Sequence, residues 1–186
     1  MDKLVLILAE GFEEVEALTP VDLLRRAKIV CETVSLASER LVPGSHGIPV
    51  LADRSWDDTD FDSYDGVILP GGLKGTQRLL EDPRVEALLR RFGTAGKLTA
   101  AICAAPTVLC KVGLLADRRA ICYPDMEEEL SGAILTREAV VQDGTVITSR
   151  GMGTSLPFGL KIVEYFRGKD AADALAAKIV YKETEK

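Results

Sequence analysis

The fold class is decided by residues 3–36, which read KLVLILAEGFEEVEALTPVDLLRRAKIVCETVSL. The continuous apolar run at residues 4–8 is typical of a strand buried on both faces of a parallel sheet. After a glycine turn, the spacing of the apolar residues predicts a helix over residues 13–27. A second strand is predicted at residues 29–36. Together they form a β-α-β unit, whose crossover should be right-handed.

The rest of the chain repeats this alternation. Pro20 lies within the first helix, so we expect a kink or break near Thr19. Further strands are predicted at residues 48–51, 66–69, 98–102, 119–122, 139–142 and 146–149, the last two joined by an Asp143-Gly144 hairpin turn. Further helices are predicted at residues 83–92, 105–112, 154–166 and 171–181. This order predicts one α/β domain over residues 1–186, a doubly wound, mainly parallel sheet with helices on both faces.

Composition excludes several classes of function. The chain has 186 residues and a net charge of −6, whereas a nucleic-acid surface normally carries a basic stripe. Its apolar runs are much shorter than the roughly 20 residues that span a bilayer. The apolar run at residues 3–9 is short and has no signal-peptide cleavage site, so we expect a cytoplasmic protein with neither nucleic-acid nor membrane partners.

The four cysteines do not form a metal or disulfide pattern. They are widely spaced, without a C-x-x-C pair, and the chain has one histidine. In a reducing compartment they should be free thiols. Cys31, Cys110 and Cys122 are expected to be packing residues. No phosphate-binding motif is present, and we expect neither a cofactor nor a metal.

Residues 100–106, AAICAAP, are the strongest candidate for chemistry. A nucleophile on a sharp strand-to-helix elbow needs small neighbours because the two backbones approach closely there. Ala101 and Ala105 meet that need, and Pro106 suits the first turn of a helix. A thiol at a helix N-terminus faces free amides and the positive end of the helix dipole, which favours the thiolate. We therefore expect Cys103 to be reactive, the alternative being a buried structural cysteine.

Two nearby features fit such a nucleophile. Gly71-Gly72 leaves backbone amides free to approach an oxyanion, although paired glycines also occur in ordinary tight turns. Glu13, Glu14 and Glu16 crowd the start of the first helix, where carboxylates commonly offset the dipole at the surface. One of them facing a thiolate from a buried position should have a raised pKa and act as a hydrogen-bond donor or proton shuttle. Spacing alone does not select which one.

Five ordered motifs make the chain resemble the ThiJ/PfpI superfamily, in the branch of the DJ-one proteins and their bacterial relatives. The motifs are residues 8–16 (LAEGFEEVE), 20–22 (PVD), 69–72 (LPGG), 100–106 (AAICAAP) and 148–154 (TSRGMGT). The resemblance implies a flavodoxin-like fold, similar to class I glutamine amidotransferases, and usually a homodimer. It assigns the nucleophilic, oxidisable thiol to Cys103, its protonated partner to Glu16, and oxyanion-type amides to Gly72 and Ala104.

The resemblance also implies an interface, and the chain departs from the family at two positions. Asp22 and Arg26 are placed near the dimer interface, beside the pocket. Many members have a histidine near the nucleophile, where this chain has Tyr123. The single histidine, His46, falls where some relatives have an arginine that reaches towards the partner's pocket. A Cys-His-Glu protease triad is therefore not expected.

The resemblance implies two alternative functions that use one site. The first is an enzyme acting on reactive carbonyls, either a glutathione-independent glyoxalase (a glyoxalase III-like lyase) or a deglycase-type hydrolase that acts on modified protein. Here the Cys103 thiolate attacks the carbonyl and Glu16 moves a proton. The second is an oxidation sensor or redox-regulated chaperone in the response to oxidative stress, in which Cys103 is oxidised. A member that has kept the cysteine without activity is the third possibility.

Overall fold

The computed structural model describes residues 2–181 and centres on a seven-stranded sheet. In chain order the strands are β1 Lys3–Leu8, β2 Val30–Ser35, β3 Leu41–Pro43, β4 Pro49–Leu51, β5 Arg54–Ser55, β6 Gly66–Leu69, β7 Leu98–Ile102, β8 Arg119–Ala120, β9 Ile134–Leu135, β10 Val140–Asp143 and β11 Val146–Ser149. The main sheet has the order β10-β11-β7-β6-β1-β2-β5. Every neighbouring pair is parallel except the β10–β11 hairpin. The predicted fold class is confirmed; Met1 and residues 182–186 of the predicted domain lie outside the described residues.

Six α-helices accompany the sheet within residues 2–181. They are α1 Glu14–Arg26, α2 Leu73–Glu81, α3 Pro83–Thr94, α4 Pro106–Lys111, α5 Ser155–Arg167 and α6 Lys169–Lys178. A residue of β1 faces one side of the sheet and the next faces the other. Leu4, Leu6 and Leu8 pack with α1, α5 and α6, whereas Val5 and Ile7 pack with α3 and α4. This places helices on both faces.

Of the kink or break expected near Thr19, the break is absent. Helix α1 runs without interruption through Pro20, although proline has no N–H to donate to the Glu16 carbonyl one turn earlier. Pro20 is buried where α1 packs against α5. At that contact a Cβ on Gly159 would stand 3.1 Å from the Pro20 Cα, so the glycine lets the two helices approach. Packing against α5 therefore keeps the helix intact.

The other differences concern short elements. The predicted strand at residues 119–122 is shortened to β8, which pairs with β9 in a separate two-stranded sheet. The predicted strand at residues 48–51 is β4, which pairs with β3. Helix α2 was not predicted. Within residues 2–181 no helix combines the length and apolarity required to cross a membrane.

The topology brings three loops to one edge of the sheet. Strands β1, β6 and β7 are consecutive neighbours and parallel, so the loops that follow Leu8, Leu69 and Ile102 leave from the same edge. Functional sites of doubly wound sheets form at this edge. These loops carry the first glutamates of α1, Gly71-Gly72 and Cys103.

Candidate active site at the Cys103 elbow

Cys103 has a backbone conformation that only a constrained elbow maintains. Its φ is +65°, in the left-handed region that residues with a side chain rarely adopt and that costs about 1–3 kcal/mol. Two hydrogen bonds hold it there: the Cys103 N–H donates to the Ser149 carbonyl at 3.0 Å, and the Tyr123 N–H donates to the Cys103 carbonyl at 2.8 Å. The small neighbours Ala101 and Ala105 are completely buried. The predicted elbow is therefore present.

Glu16 is the glutamate that faces the thiol. Its residue surface is 1% exposed, and its Oε2 accepts a 3.0 Å hydrogen bond from the Gly71 N–H. The carboxyl group lies near enough to the Cys103 thiol for each group to shift the pKa of the other. A Cβ on Gly71 would lie 2.4 Å from that Oε2 and 2.7 Å from the Cys103 Cβ. Glycine at position 71 thus leaves room for the pair.

Two further backbone amides act on the thiol. The backbone N–H groups of Ala104 and Gly72 both interact with the Cys103 thiol and lower its pKa. Gly72 has a φ of +89°, and a Cβ there would lie 2.4 Å from the Gly11 carbonyl oxygen. A side chain would therefore displace this loop. The two amides assigned from the resemblance are in the position expected for stabilising a negative charge on or beside the sulfur.

Burial dominates the electrostatics of the pair. Burial, with a contribution from the Glu13 charge, raises the pKa of Glu16 to about 7, although the hydrogen bonds from Cys103 and Gly71 oppose it. Burial and the Glu16 charge raise the pKa of Cys103 to about 12 against the two amides. This direction is opposite to the one expected from the helix N-terminus alone. The Glu16 contribution exists only while Glu16 is ionised, so the thiolate is favoured when the proton sits on the carboxyl group.

The three glutamates at the start of α1 have separate roles. Glu13 caps the helix, its Oε2 accepting the Glu16 N–H at 2.7 Å, and its own N–H donates to the Gly71 carbonyl at 2.9 Å. These bonds fix the phase of α1, so that Glu16 faces inward. Glu14 is buried too, but its carboxylate is bound by residues 45–48. The sequence could not separate these roles, because they depend on where the helix begins.

Tyr123 lies at the site and His46 does not contact it. A Cβ on Gly151 would be 3.6 Å from the Tyr123 ring and 4.0 Å from Glu16 Oε1, so both groups lie near Gly151, and the Tyr123 N–H bonds the Cys103 carbonyl. Among residues 2–181, the His46 ring contacts Ser45 and the first glutamates of α1 rather than Cys103. Among the described residues, His46 is therefore not a neighbour of the Cys103–Glu16 pair.

Asp22 and Arg26 lie further along α1. They form an exposed ion pair with a distance of 2.6 Å between the Arg26 Nε and the Asp22 Oδ2. Both line a groove of about 470 Å³ with Leu18, Thr19, Leu23, Leu156 and Ile179. Neither is among the residues that contact Cys103 or Glu16 in the described part of the chain. The structure places them outside the immediate site.

Two contributors to the site were missed from the sequence. The Gly71 N–H binds Glu16, a contact that the Gly71-Gly72 pair did not indicate, and the Ser149 carbonyl holds the elbow. The register of β11 against β7, in which Ser149 is opposite Ile102, explains the second contact. The sequence predicts both buried strands, β7 and β11, but the residues alone do not give the register between them.

Comparison with known proteins agrees with this geometry. The DJ-1/PfpI family model matches residues 2–165. Protein dj-1beta of Drosophila melanogaster is 40% identical over 174 residues, covering 92% of this chain and 93% of the relative. Its crystal structure superposes with a TM-score of 0.92, at 39% identity, over 97% of this chain and 98% of that one.

Two other relatives have more specific descriptions. The glutathione-independent glyoxalase DJR-1.2 of Caenorhabditis elegans is 33% identical over 174 residues, 92% of each chain. The structure of oxidised Toxoplasma gondii DJ-1 superposes with a TM-score of 0.93, at 31% identity, over 97% of this chain and 98% of that one.

Fold and site together define a flavodoxin-like α/β protein with a cysteine on a strand-to-helix elbow. The family match extends over most of the described residues, and the two curated relatives named above align over 93% and 92% of their own length. The chain belongs to the DJ-1/PfpI family.

Proposed function

We propose that this protein is a cysteine-dependent enzyme of the stress response that converts reactive carbonyls without glutathione. The observation that carries the proposal is the buried carboxyl of Glu16, whose pKa of about 7 lets it hold or release a proton near neutral pH beside the thiol. The glyoxalase among the relatives supports the same class of reaction.

The proposed reaction uses methylglyoxal as the simplest substrate. The Cys103 thiolate adds to the aldehyde carbon, and protonated Glu16 gives its proton to the resulting alkoxide, which forms a hemithioacetal and leaves Glu16 ionised. Ionised Glu16 removes the hydrogen from that carbon and returns a proton to the neighbouring carbon, which leaves a thioester. Water then cleaves the thioester and releases lactate and free Cys103. The amides of Gly72 and Ala104 are available to stabilise the charges that develop.

The test is lactate formation from methylglyoxal in the absence of glutathione. Cys103→Ser should give no lactate above the buffer rate, and Glu16→Gln should lose at least about 100-fold, the usual contribution of a general acid–base group. Glu10→Gln is the matched control, because Glu10 is an exposed glutamate paired with Arg78. Full activity in Glu16→Gln would contradict the mechanism. A deglycase-type reaction on modified protein is tested with the same variants.

The second candidate is a sensor or redox-regulated chaperone. A related structure has been solved in an oxidised form, and the amides beside Cys103 suit a sulfinate as well as an oxyanion. Two equivalents of peroxide would oxidise the thiolate to sulfenate and then sulfinate, each releasing water. Peroxide protection of cells that is unchanged by Cys103→Ala would exclude this role.

We also propose that the protein acts as a cytoplasmic homodimer. Val15, Leu18, Met152 and Leu156 are large apolar side chains that remain exposed on or near α1 and α5. The groove containing Asp22 and Arg26 adjoins Leu18 and Leu156. A second copy of the chain covering this surface would bury the apolar residues, as expected for a permanent interface.

A further inference from the structure

A second cluster of ionisable side chains lies on the loop side of α1. It consists of Glu13, Glu14 and His46, one ligand atom of each lying within 4.8 Å of the others. The His46 Nδ1 is 3.0 Å from Glu14 Oε2 and 3.9 Å from Glu13 Oε1. Atoms bound to a single zinc ion at about 2.0–2.2 Å are separated by similar distances. The cluster does not include Cys103 or Glu16.

The Glu14 carboxylate is held by a preformed set of donors. Its Oε1 accepts the His46 N–H at 2.7 Å and the Ile48 N–H at 3.4 Å, and its Oε2 accepts the Ser45 hydroxyl at 3.1 Å. A Cβ on Gly44 would lie 2.3 Å from Oε1, so only glycine leaves space for the carboxylate. Groups that hydrogen-bond a ligating carboxylate in this way fix its orientation towards a metal.

The cluster also has more carboxylates than cationic groups. The Glu13 and Glu14 side chains are 14% and 6% exposed, and His46 is the only cationic group within 4.0 Å of either in residues 2–181. One imidazolium can neutralise only one of the two carboxylates. The helix cap uses Glu13 Oε2, and Glu13 Oε1 accepts no hydrogen bond within residues 2–181. A divalent cation would neutralise both charges and use the free oxygen.

We propose that Glu13, Glu14 and His46 form a binding site for a divalent transition-metal ion of the zinc type. The ligands are His46 Nδ1, Glu13 Oε1 and Glu14 Oε2, and the exposed side of His46 leaves a position for water. One imidazole and two carboxylates are a donor set that zinc accepts. The sequence predicted no metal site because the ligands come from two segments 32 residues apart that meet only in the fold.

The experiment measures Zn²⁺ binding by titration calorimetry in a Cys103→Ala background, which removes the reactive thiol as a competing ligand. The parent protein should bind one Zn²⁺ per chain. His46→Gln and Glu13→Gln should each weaken binding by about tenfold or more, the scale observed even for groups that only support metal ligands. His46 is largely exposed, so its replacement leaves the fold intact, which thermal unfolding checks. Glu10→Gln is the control and should bind as the parent does.

The zinc titration would overturn the proposal in either of two ways. One is the absence of stoichiometric binding by the parent, which would leave a simple His46–Glu14 ion pair. The other is equal affinity in the parent and in His46→Gln. Co²⁺ serves as a second probe, because thiolate ligation gives an intense ultraviolet charge-transfer band and a nitrogen–oxygen site does not. A band of that kind would show that the ion is bound by Cys31, Cys110 or Cys122 and would also contradict the proposed site. Failure here leaves the carbonyl reaction untouched, since the background variant lacks its nucleophile.

Discussion

Glu16 controls the charge of the Cys103 sulfur as well as contacting it. While the carboxyl is ionised, its charge and its hydrogen bond raise the pKa of Cys103, and burial adds to the same effect. Because the carboxyl itself titrates near pH 7 whereas the pKa of Cys103 is raised to about 12, Glu16 is the group whose protonation changes over the range in which the enzyme would work. Reactivity and catalysis therefore depend on Glu16 in different ways.

We expect Glu16→Gln to lower the pKa of Cys103, by about one unit or more, because a neutral amide removes the like charge beside the thiolate. Alkylation accelerates as pH rises through the thiol pKa, so the variant should react faster with iodoacetamide at neutral pH even though it makes less lactate. Mass spectrometry of each cysteine against pH gives the midpoints, with Cys31, Cys110 and Cys122 as internal references. An unchanged Cys103 midpoint would mean that Glu16 does not set its charge.

The site depends on close approaches between elements. Loop residues Gly71 and Gly72 after β6 press against the start of α1 and the elbow after β7, so the three elements meet with no space for a side chain. Helix α1 is tied to that loop through the bond from the Glu13 N–H to the Gly71 carbonyl. A shift of this loop would therefore move both the Gly71 N–H, which binds Glu16, and the Gly71 carbonyl, which accepts the Glu13 N–H.

Gly71→Ala should reduce lactate formation by about 100-fold or more, because its Cβ would occupy the space of Glu16 Oε2 and the Cys103 Cβ. Overpacking of this kind costs about 1–3 kcal/mol, so the variant should still fold. Turnover and denaturant unfolding are compared with Gly153→Ala, a matched control in a position with nothing within 4 Å of the added Cβ. If both variants retain the parental rate, the close approach has no catalytic importance.

Apolar runs in the sequence predict the main strands. The features that the sequence does not predict depend on contacts between distant residues. Helix α2 is not predicted from the sequence because Leu73–Glu81 contains a glycine, which is unfavourable inside a helix. Gly75 is required there, since a Cβ would lie 2.8 Å from the Phe12 backbone nitrogen. For the site, residues alone indicated Cys103, and only the family resemblance selected Glu16. Its inward orientation depends on the Glu13 cap, a tertiary detail that spacing does not encode.

On the scale of the whole molecule, the exposed apolar surface of α1 and α5 predicts self-association. Sedimentation should give a dimer for the parent, and Leu18→Glu should give a monomer because it places a charge in the proposed interface. Leu41→Glu is the control, since Leu41 is an exposed apolar residue on the β3–β4 hairpin. A monomeric parent, or a Leu18→Glu dimer of equal strength, would contradict the proposed homodimer.

The elbow touches both hydrophobic cores. Cys103 packs against the core beneath α1, α5 and α6, whereas Ala101 and Ala105 belong to the one beneath α3 and α4. Loosening either layer would relax the strained backbone between them before the protein unfolds. In a library of random substitutions, selection for turnover would therefore remove variants with substitutions in the hydrophobic core on either side of the sheet. Neutral substitutions in one layer would be limited, because that layer also supports the Cys103 backbone.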